Sequence, residues 1–353
     1  MEFYCYIIYS SLEFYQNCLN GVLHISTKRI VSPMPTGSGA IVVHRMLEQQ
    51  LRNYAVVPYN PALTYVSPAL RWFVPKPGAD IVHTTPDHAV FFKRQGVPLV
   101  TTFHNVVIDK FMSPYSSFAQ RLHYRTDLRY FLGRAVRISD RITAVSQFTA
   151  DLARRELKCD RPIEVIPNGI DTDFFHPATD HREGGRLKLL FSGNPSLRKG
   201  AQWLPEIALK LKDTVKIVCA CGLRGGWTKN LQAAGIEILG RVPYAAMPDL
   251  YRSVDALLLP TVREGDSLAV LEAMSSGIPV IASNCSSLPE RVAQGEGGYL
   301  CDIGDIDGFV RAVERLLDPQ VRRLMGEFNR GRATTDFSLR QMTGRYEDLF
   351  ASL

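Results

Sequence analysis

The sequence predicts an α/β protein built as two Rossmann-like parallel-sheet domains that face each other across a central cleft. Three observations carry that expectation. Short apolar runs and amphipathic helical stretches alternate along both halves of the 353 residues, the pattern of strands joined by crossover helices. The loops after the apolar runs are rich in Gly, Asn, Ser and His, and open parallel sheets bind ligands beyond the carboxyl ends of their strands. Midway, Pro167-Asn-Gly-Ile-Asp171 reads as a sharp turn and a polar run from Ala178 to Arg186 as a linker. The expected domains are therefore 21–178 and 179–353, close to the roughly 150 residues of an ordinary domain.

Residues 1–20 fit no clear unit. A disordered extension, an interfacial segment and a start codon read too early are all compatible with them, and they lack the basic n-region of a signal peptide. The first strand is expected at Val22–Ser26. A Pro/Gly-rich loop, Ser32 to Gly39, would follow, and a helix would open at Ala40 with Val42, Val43, Met46, Leu47 and Leu51 on one face. Gly37-Ser-Gly39 is a weak match to a phosphate-cradling loop, the alternative being a surface loop. Strands are expected at 55–57, 80–83 and 98–103, each followed by a polar loop containing His or Asn. His104 ends the third of these and points to the same rim as the glycine loop. Residues 116–141 read as one helix with Arg121, Arg125 and Arg129 on a single face. That face is either solvated or turned to an anionic partner. Strands at 142–145 and 163–166 flank a helix capped by Ser146.

The second half restarts with a strand at 187–191 and the loop Ser192-Gly-Asn-Pro-Ser-Leu-Arg-Lys-Gly200. Adjacent Arg198 and Lys199 at a strand-to-helix connection suit a diphosphate, although the loop is not a Walker A. Strands at 215–220 and 236–239 and a helix at 247–253 lead to Glu264–Ser283. There a strand ends at Pro260, a polar loop follows, a helix runs from near Ser267 to Gly277, and a strand occupies 278–282. Glu264 sits in the loop and Glu272 two turns into the helix, as its single charge, beside Ala269, Ala273 and Ser276. Carboxylates there accept hydrogen bonds from vicinal hydroxyls, and the N–H groups near Gly265, Asp266 and Ser267 suit a phosphate. Asp266 or Ser267 as a plain N-cap is the alternative. A last helix, about 338–353, is expected to pack back on the N-terminal domain.

Composition is that of an ordinary globular protein. No apolar run approaches the roughly 20 residues of a membrane span. The seven Cys are scattered without zinc spacing, so a reducing cytoplasm is the expected setting. Residues 1–170 hold 19 Lys+Arg against 12 Asp+Glu, and the rest hold 22 against 23. The basic first half suggests an anionic partner, such as a membrane surface or a phosphorylated acceptor.

EGDSLAVLEAMSSGIPVIAS, Glu264 to Ser283, resembles the E-x7-E signature of retaining glycosyltransferases of family 4, which have the GT-B fold. IEVIPNGIDTDFFHP resembles that family's inter-domain turn, FSGNPSLRKG its phosphate-clamp loop, and LGRVPYAAMPDLYRSVDALLLPT its base-binding segment. ITAVSQFTADL and the stretch from VLHIS to HRML are similar to its N-terminal units, so the resemblance covers roughly 21–353. It implies that Glu264 holds the donor sugar, Glu272 the ribose, and Arg198 and Lys199 the diphosphate. The backbone at Val242 would read the base. Gly265, Asp266, Ser267 and Leu268 would line the sugar and phosphate. His104, with Gly37 and Gly39, would close over the donor from the other domain. It further implies no metal and no cofactor beyond a nucleotide-diphosphate sugar as co-substrate. The acceptor would be a lipid-linked or surface glycan at the inner membrane face, with no nucleic acid involved. The chain departs from the family at Asn194, where many members carry Arg, with Arg198 the nearest replacement. It departs again at Gly265-Asp266-Ser267, where Gly-Phe-Gly is common.

Two other readings remain open on the sequence: a nucleotide-sugar epimerase on the same scaffold, and a non-catalytic nucleotide-sugar-binding module. A Rossmann oxidoreductase lacks its fingerprint here.

Overall fold

The computed structural model describes residues 28–73, 78–179, 185–222 and 226–353. The strand expected at 22–26, the segment 1–20, and parts of the 178–186 run and of the loop after residue 222 lie outside them. In chain order the elements are β1 (Ile30–Pro35), α1 (Gly39–Gln50), β2 (Tyr54–Tyr59), β3 (Ile81–Thr84), β4 (Leu99–Phe103), α2 (Phe118–Arg125), α3 (Asp127–Ile138), β5 (Arg141–Ala144), α4 (Gln147–Leu157) and β6 (Glu164–Val165). Then come β7 (Leu187–Ser192), α5 (Leu204–Lys210), β8 (Val215–Ala220), α6 (Trp227–Ala233), β9 (Glu237–Gly240), α7 (Met247–Arg252), β10 (Ala256–Leu259), α8 (Leu268–Ser275), β11 (Val280–Ser283), α9 (Leu288–Arg291), β12 (Gly298–Cys301), α10 (Ile306–Arg315), α11 (Pro319–Asp336) and α12 (Leu339–Ala351).

The strands form two six-stranded sheets in the orders β2-β1-β3-β4-β5-β6 and β12-β11-β10-β7-β8-β9. Every pairing within them is parallel. Parallel strands need crossovers, and the helices that supply them bury both faces of each sheet. This is why β4, β10 and β11 are buried along their whole length. Strand order reverses between β1 and β3 in the first sheet and between β7 and β10 in the second. A crevice opens at such a switch point, beyond the strands' carboxyl ends.

Two expectations need correction. Ser32 to Pro35 belongs to β1, so the glycine loop is only Thr36–Ser38. The prolines misled the sequence reading. Successive backbone groups along a strand face alternate neighbours, and Thr36 N–H donates to Tyr59 O on the β2 side. Pro33 and Pro35 therefore turn their missing N–H groups toward β3, where the ladder stops after Val31. There the Pro33 carbonyl accepts the Thr84 hydroxyl at 2.7 Å. Second, 116–141 is not one helix. The chain breaks at Thr126 (φ −106°, ψ −99°), and Arg129 turns inward to Glu156 and the Ile108 carbonyl. The single arginine face does not exist.

Two strands of chain cross between the sheets, and they pair with each other: Ile170 N–H donates to Phe337 O at 2.9 Å and Leu339 N–H to Ile170 O at 2.8 Å. Gly169 is required here, since a Cβ would lie 2.8 Å from Leu339 Cα. Beyond the crossing, α12 buries Leu339, Met342, Tyr346, Leu349 and Phe350 among Ile30, Met34, Leu47 and Tyr54 of the first domain. The C-terminal helix thus completes the N-terminal core.

Candidate active site

The switch point of the second sheet explains why residues 65 positions apart meet. Arg198 and Lys199 follow β7, Glu264 follows β10, and those strands are neighbours. The clamp loop is laced to the β10 end: Val262 N–H donates to Arg198 O at 2.9 Å, and Thr261 Oγ1 donates to the same carbonyl at 2.9 Å. Gly200 (φ +75°) allows this approach, because a Cβ would lie 1.7 Å from Pro260 O.

Lys199 Nζ donates to Glu264 Oε1 at 2.7 Å. Thr261 Oγ1 lies 2.9 Å from the same oxygen, so its one hydrogen is shared between this carboxylate and the Arg198 carbonyl, and Arg198 stands 3.6 Å away. Burial works to raise the Glu264 carboxyl, but Lys199 and Arg198 outweigh it and hold it below the ordinary carboxylate value. Its backbone is also fixed: its N–H donates to Ser286 Oγ and its carbonyl accepts from Ser287 Oγ. Ser286 has φ +50°, a conformation uncommon for a non-glycine residue and typical of functional loops.

Glu272, 7% exposed, accepts the Tyr251 hydroxyl at 2.7 Å. Burial lifts its carboxyl to about 7, against the pull of Tyr251 and Lys199. Tyr244, two residues past Val242, is pushed up by burial and by Glu272, and it stacks on Phe174. Val242 itself is half-buried against the second domain's core. A carboxyl raised in the native state binds its proton where the unfolded chain has lost it. Stability then falls as pH rises from about 4.5 to about 7, by up to about 1 kcal/mol per pH unit. Urea midpoints across that window should slope downward in the wild type and flatten in Glu272→Gln. Identical profiles would remove Glu272 as the source.

The loop after Glu264 also meets the first domain. A Cβ on Gly265 would lie 1.7 Å from His104 O, and Gly265 O accepts Ser146 Oγ at 2.6 Å and Thr149 Oγ1 at 3.2 Å. Leu268 packs on the cores of both domains. No acceptor for the N–H groups of Gly265, Asp266 and Ser267 is found among the described residues. Ser267 is the N-cap of α8 by position, without a side-chain cap bond. Gly37 (φ +78°) and Gly39 face open space at the carboxyl end of β1, where Ser38 caps α1. Asn194 accepts Gly222 N–H at 2.8 Å, which ties the clamp loop to the end of β8 rather than presenting a charge.

The Asp266 expectation is corrected. Its side chain does not cap α8. It has no exposed surface, and its oxygens take Arg291 Nε and Nη2, each at 2.8 Å, and Asn168 N–H at 2.9 Å. Arg291 reaches on to Val145 O. Nearby, Arg263 pairs with Asp109 at 2.6 Å, and Glu290 accepts the N–H groups of Gln147 and Phe148 at the start of α4. Sequence reasoning passed over Arg263, Glu290 and Arg291. A charge inside an otherwise apolar stretch was the signal, but Asp109, Gln147, Phe148 and Val145 lie more than 100 residues away, in the other domain, and Asp266 lies 25 residues from Arg291, in the loop before α8. Among the described residues no group of three or more His, Cys, Asp or Glu could hold a metal ion.

Comparison with known proteins gives two family matches, one for each half. Residues 29–174 match Glycosyltransferase Family 4, and residues 186–319 match Glycosyl transferases group 1. Among curated relatives, the UDP-Gal:alpha-D-GlcNAc-diphosphoundecaprenol alpha-1,3-galactosyltransferase of Escherichia coli is 26% identical over 62% of this chain and 62% of its own length. The N-acetyl-alpha-D-glucosaminyl L-malate synthase of Bacillus anthracis is 24% identical over 86% and 82%. The chain thus spans under two thirds of the first of these. Among solved structures, sucrose-phosphate synthase from Thermosynechococcus elongatus superposes with a TM-score of 0.79 at 17% identity, covering 92% of this chain and 100% of that one. An Anabaena protein in complex with UDP and glucose does so at 0.73 and 17% or less, with the same coverage. Two facing parallel sheets with a central cleft give the chain the GT-B fold, and each half matches a glycosyltransferase family model.

Proposed function

We propose that the protein transfers a sugar, with retention, from a nucleotide-diphosphate donor to a lipid-linked or cell-surface glycan acceptor. The observation that carries the proposal is the convergence of Lys199 and Arg198 on Glu264 at the switch point. The two cations neutralise a diphosphate as it leaves, in place of a divalent ion. Glu264, kept ionised, accepts hydrogen bonds from sugar hydroxyls, and Glu272 is assigned to the ribose. The acceptor oxygen bonds to the anomeric carbon on the face from which the diphosphate departs. The carbon–phosphate oxygen bond breaks, and the acceptor's proton passes to the departing phosphate oxygen. No carboxylate nucleophile is needed, unlike in a retaining glycosidase. His104 and the Gly37–Gly39 loop are assigned to closure over the donor. The test is release of nucleoside diphosphate from UDP-, GDP- and ADP-sugars with and without glycan-lipid acceptors. No turnover with any pair sinks the proposal, and isomerised donor without acceptor identifies an epimerase.

The acceptor side favours an anionic membrane surface at the inner face. Helix α2 buries none of its residues. Phe118 and Leu122 are 75% and 56% exposed, beside Arg121 and Arg125, and these four line one 340 Å³ hollow with Ser113. A cationic and apolar surface of this kind suits lipid headgroups, at about 1 kcal/mol per Arg near the membrane. Arg121→Glu with Arg125→Glu should lower binding to phosphatidylglycerol vesicles at least about 10-fold in sedimentation. Phe118→Glu should lower it further, and wild-type protein left in the supernatant would end the membrane assignment.

A further inference from the structure

Behind His104 the first domain buries a continuous chain of polar side chains to which no role has yet been given. His104 Nε2 lies 3.2 Å from His44 Nε2. His44 Nδ1 lies 2.7 Å from both Ser32 Oγ and Tyr54 Oη. Tyr54 Oη lies 2.8 Å from His83 Nδ1, and His83 Nε2 lies 2.7 Å from Thr102 Oγ1. Thr102 Oγ1 is in turn 2.6 Å from Thr143 Oγ1 and 3.2 Å from Tyr346 Oη on α12. His44, His83, Thr102 and Thr143 have no exposed surface, and Tyr346 is 1% exposed. The chain therefore runs from the cleft rim to the helix that crosses back from the second domain.

Counting hydrogens restricts this chain. A neutral imidazole carries one donor and one acceptor nitrogen. Of two facing Nε2 atoms, one carries the hydrogen. If it is His44, the single lone pair of its Nδ1 accepts from Tyr54, with Ser32 as the competing donor. Tyr54 then accepts from His83 Nδ1–H, and His83 Nε2 accepts from Thr102. If His104 donates instead, each bond reverses in turn. A mixture avoids setting two hydrogens or two lone pairs against each other only where a hydroxyl accepts twice and gives its hydrogen to a third group, as Tyr54 can to Ser32; elsewhere it leaves an unmet polar group inside the core, which is costly. The two arrangements leave opposite states on His104 Nδ1, which has no hydrogen-bond partner among the described residues. It is an N–H in the first and a bare lone pair in the second.

We propose that His44 is a positioning residue that sets the tautomer of His104, and that the buried chain back to Tyr346 selects which state His104 offers to the cleft. Burial keeps the rings neutral: it lowers His104 to about 4 and His83 to about 3, and takes His44 well below its ordinary value. Tautomer, not charge, is then the variable near neutral pH. The charged groups that face the chain act on its hydroxyls: Glu48 on Tyr54, and Glu164 and Arg345 on Tyr346. The proposal rests on the transfer reading only for the use to which the tautomer is put.

Long-range 1H–15N spectra of the ligand-free, 15N-labelled full chain, from pH 5.5 to 8.5, read the tautomers directly. Wild-type His44 and His104 should each show one neutral tautomer, complementary at Nε2 and constant with pH. In His44→Phe, His104 should show averaged shifts and titrate within the range, and His44→Gln, which keeps a donor at that place, should restore a single form. His104 unchanged in His44→Phe overturns the proposal. Should that variant not fold, Tyr54→Phe removes one hydroxyl and keeps the ring. Averaged shifts at His44 and His104 support the chain, and a wild-type pattern overturns it. With the donor found active, kcat of His44→Phe should fall about 10-fold with KM changed less. A loss of turnover with unchanged tautomers refutes the tautomer role and leaves the transfer reading standing.

Discussion

Replacing Lys199 with Met is expected to cut turnover by about 10²- to 10³-fold, the usual cost of losing one preorganised group that meets developing charge. The loss should fall on kcat more than on donor KM, because the diphosphate gains negative charge only as the sugar leaves. The same substitution changes how stability depends on pH. In the wild type Lys199 and Arg198 hold Glu264 below the ordinary value of 4.5. A depressed carboxyl contributes stability that is present above about 4.5 and lost as pH falls through its native value. Without Lys199 the nearest cation is Arg198 at 3.6 Å, and burial then dominates. The slope reverses, and Lys199→Met should gain relative stability in acid. Glu264→Gln removes the slope altogether, and in a double-mutant cycle the two substitutions should couple strongly, since each removes the other's partner. Full activity in Lys199→Met, or additive effects with Glu264→Gln, would mean that the pair is structural.

How much of this was legible beforehand follows from the range of each interaction. Glu264, Glu272 and Gly277 form a local pattern. A strand, a loop and a helix stopped at Gly277 (φ +68°) are set by residues within one helical turn of each other, and the helix formed where the spacing put it. The meeting of Lys199 with Glu264 was legible one step further, because strand alternation implies a parallel sheet and a sheet brings loop ends to one rim. Strand bounds shifted by a residue or two, as expected where the last hydrogen bond depends on the neighbouring strand. The reading failed where the answer lay on a different element. The strand expected at 80–83 ends on His83, which lies inside β3 and is fully buried. Its tolerance for the core comes from Tyr54 and Thr102, on two other strands. No local pattern announces such a partner. Ser286, whose hydroxyl fixes the Glu264 backbone, lies 22 residues along and was silent for the same reason.

Asp266 is the sharper case, and it gives the second large effect: Arg291→Ala should destabilise the protein by about 3–5 kcal/mol, the cost of stripping one partner from a buried ion pair. An acid beside a diphosphate made little sense while only the loop was in view. The structure sets its carboxylate against Arg291, Asn168 and, through Arg291, the carbonyl of Val145. Removing Arg291 leaves a carboxylate with no exposed surface and only the Asn168 N–H to meet it. It also removes a guanidinium 4.7 Å from the Phe337 ring, at the point where the chain crosses between domains. At about 2–4 °C per kcal/mol, the thermal midpoint should fall by roughly 10 °C. Arg291→Lys should rescue little, since a point charge cannot reproduce the two-pronged contact. Asp266→Asn combined with Arg291→Met should recover much of the loss, because no charge is then left unpaired. Donor affinity measured well below the midpoint separates local from global damage. If Asp266 orients the N–H groups of 265–267, KM for the donor should rise in Arg291→Ala even where the protein is folded. A midpoint within 2 °C of wild type would show that the latch is decorative. The same midpoint drop with unchanged donor KM would show that it joins the domains without shaping the site. With Arg291 in place, the Asp266 charge beside the proposed phosphate site is neutralised inside the protein before any donor arrives, which is what allows an acid to stand at that position.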